Sequence, residues 1–403
     1  ADNPFVLRAY FAWKLGLPYA HFRCDRGTAE RAPICGDWIT SRIERQVGHE
    51  NVRAFQAFVR TILNDVHSGS GRTALEDSRT DLYPVALARE HLRPGVVFAD
   101  PYGHTLTLVR WVPQTGGSAG QLLAVDAQPD GTIAVKRFWQ GNFFFVTEGI
   151  PGGPGFKAFR PLILEDGEPR PLDNAAVAGH PDYGDFSLEQ ATMSPRAFYD
   201  RMDRLINPEP LDPATAFREL HLAVFDRLQA RALAVSNGEA YMRQEEYTVM
   251  PMPSGASIFQ TVGPWEDYST PARDMRLLIS FDVLLDFPDK VSRDPDAFRI
   301  PSGKTTAQVR AELEALHRRW APEFRITYTR SDGVEQVLSM GDVIERLEAL
   351  EMGYNPNDGI EIRWGAPEDS AELAACSRRA PEDQRAKMRR YRRWFRERVF
   401  PIR

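Results

Sequence analysis

Cys35 and His104 are the residue types from which a thiol nucleophile site is built. A thiolate attacks an acyl carbon when a nearby base has taken the proton of the sulfur, and a third polar group holds that base. Asp126, at the end of the apolar run 122–125, is the candidate third group, and Gln128 is the alternative. This set predicts hydrolysis or transfer at an amide bond, with His104 acting first as base and then as acid.

The residues after Cys35 predict a helix that would activate the sulfur. An apolar stripe with helical spacing is formed by Trp38, Ile39, Ile43 and Val47. A helix is therefore expected from Gly36, and a cysteine at its amino-terminal end would lie near the positive end of the helix dipole, which favours the thiolate. The first backbone N–H groups of this helix would stabilise the oxyanion.

Other residues offer alternative assignments of nucleophile and base. Cys24 lies between Arg23 and Arg26, whose charges would lower the pKa of its thiol, but no helical pattern begins there. It therefore ranks second as nucleophile. His21 and His67 are alternative bases, and both are interpreted as solvated loop histidines.

A disulfide between Cys24 and Cys35 is the main competing hypothesis. Three cysteines allow one bridge and one free thiol in an oxidising compartment, and these two are the expected pair. The chain would then be a binding or scaffold protein without chemistry. The spacing of the cysteines and of His21 is not that of a zinc site, and no His-Glu-x-x-His occurs, so neither a metal nor another cofactor is expected.

Hydrophobic periodicity predicts the elements that would position these residues. Helices are expected over 5–16 and 52–66, an irregular segment over 20–34, and strands over 95–99, 105–112, 121–126 and 132–138. His104 shares the parity of Leu106 and Leu108, which predicts that it points to the buried side of the sheet. Helices followed by antiparallel strands indicate an α+β domain, assigned to residues 1–160, with a mostly helical accessory region over 161–403.

Three segments together resemble a known family. Residues 15–19 (Leu-Gly-Leu-Pro-Tyr) end a predicted helix, Cys35 opens the next one, and residues 93–98 (Arg-Pro-Gly-Val-Val-Phe) lead to His104. This order is similar to that of the NlpC/P60 cell-wall cysteine peptidases, a family of the papain-like thiol superfamily. The resemblance implies a papain-like fold over about residues 5–146, with Cys35 as nucleophile, His104 as base and cell-wall peptide as the substrate class.

The sequence also departs from the family pattern. Ile34, Gly36 and Val96 stand where the family has aspartate, serine and aspartate. The spacing from His104 to Asp126 instead resembles the transglutaminase-like branch of the same superfamily, which implies a peptide or protein substrate.

Composition excludes several classes of protein. The 403 residues carry a net charge of -6 and a pI near 5.9, which argues against nucleic-acid binding. No apolar run approaches the roughly 18 residues that span a bilayer. The first residues, Ala-Asp-Asn-Pro, fit either a protein whose signal peptide has been removed or a chain that was trimmed for another reason. The first alternative implies a secreted or periplasmic location, which is the expected one.

Overall fold

The computed structural model describes residues 2–28, 30–41, 49–116, 118–127, 133–147, 149–259 and 263–401. The chain forms two compact units, Ala1–Pro208 and Glu209–Arg403. The first unit combines helices with antiparallel sheets, and the second is mostly helical. This arrangement confirms the α+β class and the helical carboxy-terminal region that the sequence predicts.

The first unit is built around a six-stranded sheet with the strand order β3-β8-β4-β5-β6-β7, in which all neighbours are antiparallel. Its described helices are α1 (Asn3–Leu15), α2 (His49–Asp65), α3 (Asn174–Ala178), α4 (Glu189–Thr192) and α5 (Pro195–Ile206). Its described strands are β1 (Tyr19–Cys24), β2 (Cys35–Ser41), β3 (Leu82–Pro84), β4 (Val97–Ala99), β5 (Thr105–Val112), β6 (Gln121–Ala127), β7 (Ile133–Arg137), β8 (Gly155–Phe159), β9 (Leu162–Glu165) and β10 (Glu168–Pro171). The pairs β1–β2 and β9–β10 form two separate hairpins.

Helix α5 packs on the six-stranded sheet and so belongs to the first unit. The Phe198 ring stacks on Phe145 with 3.8 Å between the ring centroids, and it lies 6.2 Å from Phe98 of β4. All three side chains are buried in one core cluster. The first unit therefore extends to Pro208 rather than ending at residue 160, where the sequence analysis placed the boundary.

Most predicted elements of the first unit agree with the structure, and two predictions are wrong. The helices α1 and α2 and the strands β4 to β7 lie where periodicity places them. The helix expected from Gly36 is instead strand β2, which pairs with β1 in the segment that was expected to be irregular. Trp38, Ile39 and Thr40 are aromatic or β-branched and fit a pleated strand. Ile43 and Val47, which completed the helical stripe, lie outside the described residues.

The second unit contains long helices and one hairpin. Its described helices are α6 (Pro213–Gln244), α7 (Pro264–Tyr268), α8 (Pro271–Arg293), α9 (Thr306–Trp320), α10 (Met340–Glu345), α11 (Leu347–Leu350), α12 (Ile360–Arg363), α13 (Ala371–Ala374) and α14 (Glu382–Glu397). The hairpin is formed by β11 (Arg325–Thr329) and β12 (Glu335–Ser339), as the Ser-Asp-Gly turn between them predicts. Arg231 of α6 and Asp274 of α8 are both buried and form a bidentate ion pair.

A pair of histidines joins α6 to α9. Nδ1–H of His221 donates to the carbonyl of Phe217 at 2.8 Å, so Nε2 of His221 accepts from Nδ1 of His317, 2.9 Å away. Arg218 and Glu323 form an ion pair beside it. Burial lowers the pKa of His221 to about 4 and also lowers that of His317.

This pair gives the second unit a pH-dependent stability. Above its ordinary pKa of 6.5, His221 is neutral in both the folded and the unfolded state. Its full contribution to the free energy of unfolding is therefore present at those pH values. As the pH falls from 6.5 towards 4, protonation of the unfolded chain should lower the free energy of unfolding by about 1.4 kcal/mol per pH unit. Urea unfolding at several pH values, followed by hydrogen exchange in α6 and α9, should show this slope in the wild type and a shallower one in His221→Leu. If the free energy of unfolding changed equally with pH in the wild type and in His221→Leu, the role given to His221 would be contradicted.

Candidate active site

A tight turn between β4 and β5 positions His104. The backbone N–H of Asp100 donates to the carbonyl of His104 at 2.8 Å, and that of Gly103 donates to the carbonyl of Asp100 at 3.0 Å. The carboxylate of Asp100, which is buried, accepts from the backbone N–H of Tyr102 at 2.6 Å. Gly103 has a φ of 101°, and a β-carbon there would lie 2.4 Å from Cβ of Ser68, so glycine alone fits this position.

The structure brings His104 and Asp126 together across β5 and β6. Nε2 of His104 lies 2.5 Å from Oδ1 of Asp126, with the imidazole side chain 29% exposed and the carboxylate side chain 4% exposed. Asp126 shares the face of Leu122 and Ala124, and Ala124 pairs with Leu108 of β5. His104 therefore points to the buried face, as its parity predicts, but it lies at the rim, where solvent reaches the ring. Gln128, the alternative partner, lies outside the described residues.

This arrangement holds an imidazole in one orientation. A neutral ring whose hydrogen is on Nε2, facing the carboxylate of Asp126, has its lone pair on Nδ1. Among the described residues, none forms a hydrogen bond with Nδ1. His104 is thus a partly exposed imidazole with an oriented acceptor nitrogen and a buried carboxylate behind it, which is the geometry of a general base.

Cys35 does not have the environment predicted for a thiol nucleophile. Its sulfur is bonded to that of Cys24 in a disulfide that joins paired positions of β1 and β2. Because residue 35 begins strand β2, the helix that was expected to start beside it and to activate its sulfur does not form there. The assignments of Cys35 as nucleophile and of Cys24 as its rival are therefore corrected, because neither sulfur is a free thiol in this structure. The remaining cysteine, Cys376, is a free thiol in the second unit.

The glycine-rich loop 67–71 contacts both the segment of the disulfide and the turn before His104. Nε2–H of His67 donates to the carbonyl of Cys24 at 2.8 Å. Ser68 packs against Gly103, next to His104. The disulfide belongs to a small separate cluster with Phe22 and Trp38. Of the predicted set of Cys35, His104 and Asp126, the structure therefore brings together only His104 and Asp126.

The two alternative bases are not solvated loop residues, which corrects their interpretation. His21 is fully buried in β1, and its Nε2 lies 3.2 Å from the carboxylate of Asp65, which also accepts two hydrogen bonds from Arg23. His67 donates through Nε2 as described and accepts from the backbone N–H of Gly69 through Nδ1. Burial lowers the pKa of both imidazoles. His21 thus fastens β1 to α2, and His67 fastens the adjacent loop to β1.

Lys157 of β8 holds the same loop against the sheet. Its ammonium group is buried and donates to the carbonyls of Gly71 and Thr73, at 2.9 and 3.1 Å. In the part of the chain that the structure describes, no carboxylate forms an ion pair with it. Burial lowers the pKa of Lys157 to about 7. Lys157 thereby fixes the loop whose Ser68 packs against Gly103 and sets the position of the His104 turn.

Sequence reasoning missed the residues that support His104. The run Asp-Pro-Tyr-Gly at 100–103 has the composition of a tight turn and could have identified the role of Gly103. Nothing in the sequence distinguishes Lys157 from a solvated lysine, because its burial depends on a loop more than 80 residues earlier in the chain.

The described residues contain no group of three or more His, Cys, Asp or Glu arranged to hold a metal ion. No described helix is long and apolar enough to cross a bilayer. No family model, curated protein or solved structure matches this chain.

Proposed function

We propose that the first unit is a hydrolase of acyl bonds, amide or ester, in which His104 activates a water molecule directly. The observation that carries this proposal is the 2.5 Å contact between Nε2 of a partly exposed His104 and the buried carboxylate of Asp126. Since Cys24 and Cys35 are joined in a disulfide and neither is a free thiol, water takes the role that was predicted for Cys35.

The proposed reaction has two proton transfers. Nδ1 of His104 accepts a proton from water while the oxygen of that water bonds to the acyl carbon. The resulting imidazolium is stabilised by the negative charge of Asp126. His104 then returns the proton to the leaving amine or alcohol as the bond to the acyl carbon breaks, which yields a carboxylic acid and restores the neutral ring.

The substrate class and the compartment follow from two other observations. The resemblance of residues 15–19 and 93–98 to the NlpC/P60 pattern favours a peptide substrate such as cell-wall peptide. A disulfide fits an oxidising compartment, so a secreted or periplasmic location is part of the proposal.

The proposal is tested by comparing the hydrolysis rate of the wild type with the rates of variants that lack the His104 imidazole or the Cys24–Cys35 disulfide. Full-length protein, purified without reductant, is assayed on p-nitrophenyl esters, peptidyl anilides and cell-wall muropeptides from pH 5 to 9. We expect turnover in the wild type and a decrease of about 10²–10⁴ in kcat for His104→Ala, because the base is lost. The control His180→Ala removes a partly exposed histidine that lies outside the sheet of the same unit, and it should retain full activity.

A double variant, Cys24→Ala with Cys35→Ala, separates this mechanism from thiol catalysis. It should keep its activity at a temperature where circular dichroism shows it to be folded, although loss of the disulfide should lower its stability by about 2–4 kcal/mol. Loss of activity in the folded double variant, or full activity in His104→Ala, would overturn the proposal.

A binding or scaffold role without chemistry is the second candidate. The observation that favours it is the disulfide itself, which makes the β1–β2 hairpin a rigid attachment on the first unit. Under this alternative, no substrate in the panel is turned over, and His104→Ala binds cell-wall peptide as tightly as the wild type does.

A further inference from the structure

Helix α1 has two apolar faces, although only one of them packs against the rest of the first unit. Phe5, Ala9 and Ala12 form the buried face. On the opposite side, Tyr10, Phe11 and Leu15 are between 40% and 65% exposed. A helix that is apolar on all sides is normally covered on all sides. The exposed side of α1 is therefore a surface that requires an explanation.

Helix α2 extends this surface. Trp13 of α1 stacks on Phe55 of α2, with 4.6 Å between the ring centroids. Val52 and Leu63 of α2 are exposed, as is Leu17 just after α1. The two helices thus present neighbouring exposed aromatic and aliphatic side chains, and exposed apolar patches of this kind mark interaction sites. We call the surface formed by residues 3–17 and 52–64 the α1/α2 face.

The charges on the α1/α2 face all have one sign. Its two segments contain no acidic residue, in a chain whose net charge is -6, and their exposed basic residues are Lys14, Arg53 and Arg60. Arg8 is directed inward instead, where it donates to the carbonyl of Arg160 at 2.9 Å. Nζ of Lys14 lies 4.8 Å from the centroid of the half-buried Trp13 ring and 5.7 Å from that of the exposed Tyr10 ring, so a cation sits beside two aromatic rings.

We infer that the α1/α2 face docks on the surface of an anionic lipid bilayer. Aromatic rings and lysine are the side chains preferred at the level of the lipid headgroups, and the aliphatic ones would enter the acyl boundary. The three exposed basic residues, Lys14, Arg53 and Arg60, match the phosphates of anionic lipids. A second copy of the chain fits the face less well, because face-to-face pairing would bring like charges together. This inference does not depend on the function of His104.

Vesicle flotation of the full-length protein tests the inference. The probes are vesicles of phosphatidylcholine alone and vesicles with one third phosphatidylglycerol. We expect the wild type to float with the anionic vesicles and at least tenfold less with the neutral ones. The double variant Phe11→Glu with Leu15→Glu should lose binding at least tenfold, and so should Lys14→Glu. The control Leu233→Glu changes a residue of α6 that is equally exposed, and it should bind as the wild type does.

Three outcomes would overturn the inference. They are failure of the wild type to float with either vesicle, equal flotation with neutral and anionic vesicles, and unchanged binding of the double variant. Circular dichroism of the exposed-residue variants verifies that they are folded. If light scattering shows a wild-type dimer that the double variant dissociates, without any vesicle binding, the face is a self-association surface and lipid docking is rejected.

Discussion

Asp126→Asn is expected to lower the rate of hydrolysis by about 10²–10⁴, even though the side chain keeps its size. An asparagine that donates its amide hydrogen to Nε2 of His104 would move the ring hydrogen to Nδ1, the nitrogen that must accept a proton. An asparagine that presents its oxygen instead would keep the tautomer but would lose the negative charge that stabilises the imidazolium. Both arrangements impair the base, so the decrease should approach that of His104→Ala.

Two readouts distinguish this role from a merely structural one. The kcat should decrease in Asp126→Asn while the KM changes little, since Asp126 is buried behind the ring and away from the substrate. Nitrogen NMR of the histidine side chains should show the hydrogen of His104 on Nε2 in the wild type and a changed tautomer ratio in the variant. The control is Asp182→Asn, which neutralises an exposed carboxylate of the same unit. A wild-type rate in folded Asp126→Asn would contradict the proposed role.

Asp274→Ala should have the largest effect on stability, lowering the free energy of unfolding of the second unit by about 3–5 kcal/mol. Asp274 accepts from Nε and Nη2 of Arg231, at 2.8 and 3.0 Å, and both side chains are buried. Arg363 is also buried, and Nη2 of Arg231 donates to its carbonyl at 2.8 Å. Without Asp274, the guanidinium groups of Arg231 and Arg363 would remain buried with no carboxylate beside them. Their uncompensated positive charge is what lowers the free energy of unfolding.

The same helix provides the matched control. Asp286 of α8 pairs with Arg293 at 2.5 Å, but both side chains are exposed. Asp286→Ala should therefore cost no more than about 1 kcal/mol. Urea unfolding followed by hydrogen exchange of α6 and α8 compares the two variants. If Asp274→Ala and Asp286→Ala lost similar amounts of unfolding free energy, the claim that burial makes the Arg231–Asp274 pair important would be contradicted.

A double substitution separates the charge from the packing. Arg231→Met with Asp274→Leu replaces the buried pair by apolar side chains of similar size, and it should recover most of the stability that Asp274→Ala loses. If the double variant is as unstable as the single one, the loss comes from packing and hydrogen bonds rather than from an unpaired charge.

The sequence predicts elements whose pattern is local. Helices α1 and α2 follow from a 3.6-residue apolar period, and β5 and β6 follow from alternation. The same alternation predicts that His104 points to the buried side of the sheet, and Asp126 was chosen as its partner from its place after an apolar run. That the two side chains meet on one face follows from the pairing of β5 with β6, which the structure supplies.

The environment of Cys35 could not be predicted from a local sequence pattern. The segment after it has a short apolar pattern that fits both a helical stripe and a strand, and pairing with β1 decides between them. That pairing brings Cys24 opposite Cys35 and so determines the state of both sulfurs. The positions of Lys157 and Ser68 likewise depend on contacts between distant segments, which no local pattern records.

Counting free thiols is the most direct test of the central claim, that the imidazole of His104 operates without a sulfur nucleophile. The protein is purified without reductant, denatured, and reacted with a chromogenic disulfide reagent. One free thiol per chain is predicted, and it should disappear in Cys376→Ser. Three free thiols per chain would show that Cys24 and Cys35 are reduced, and this result would contradict the account.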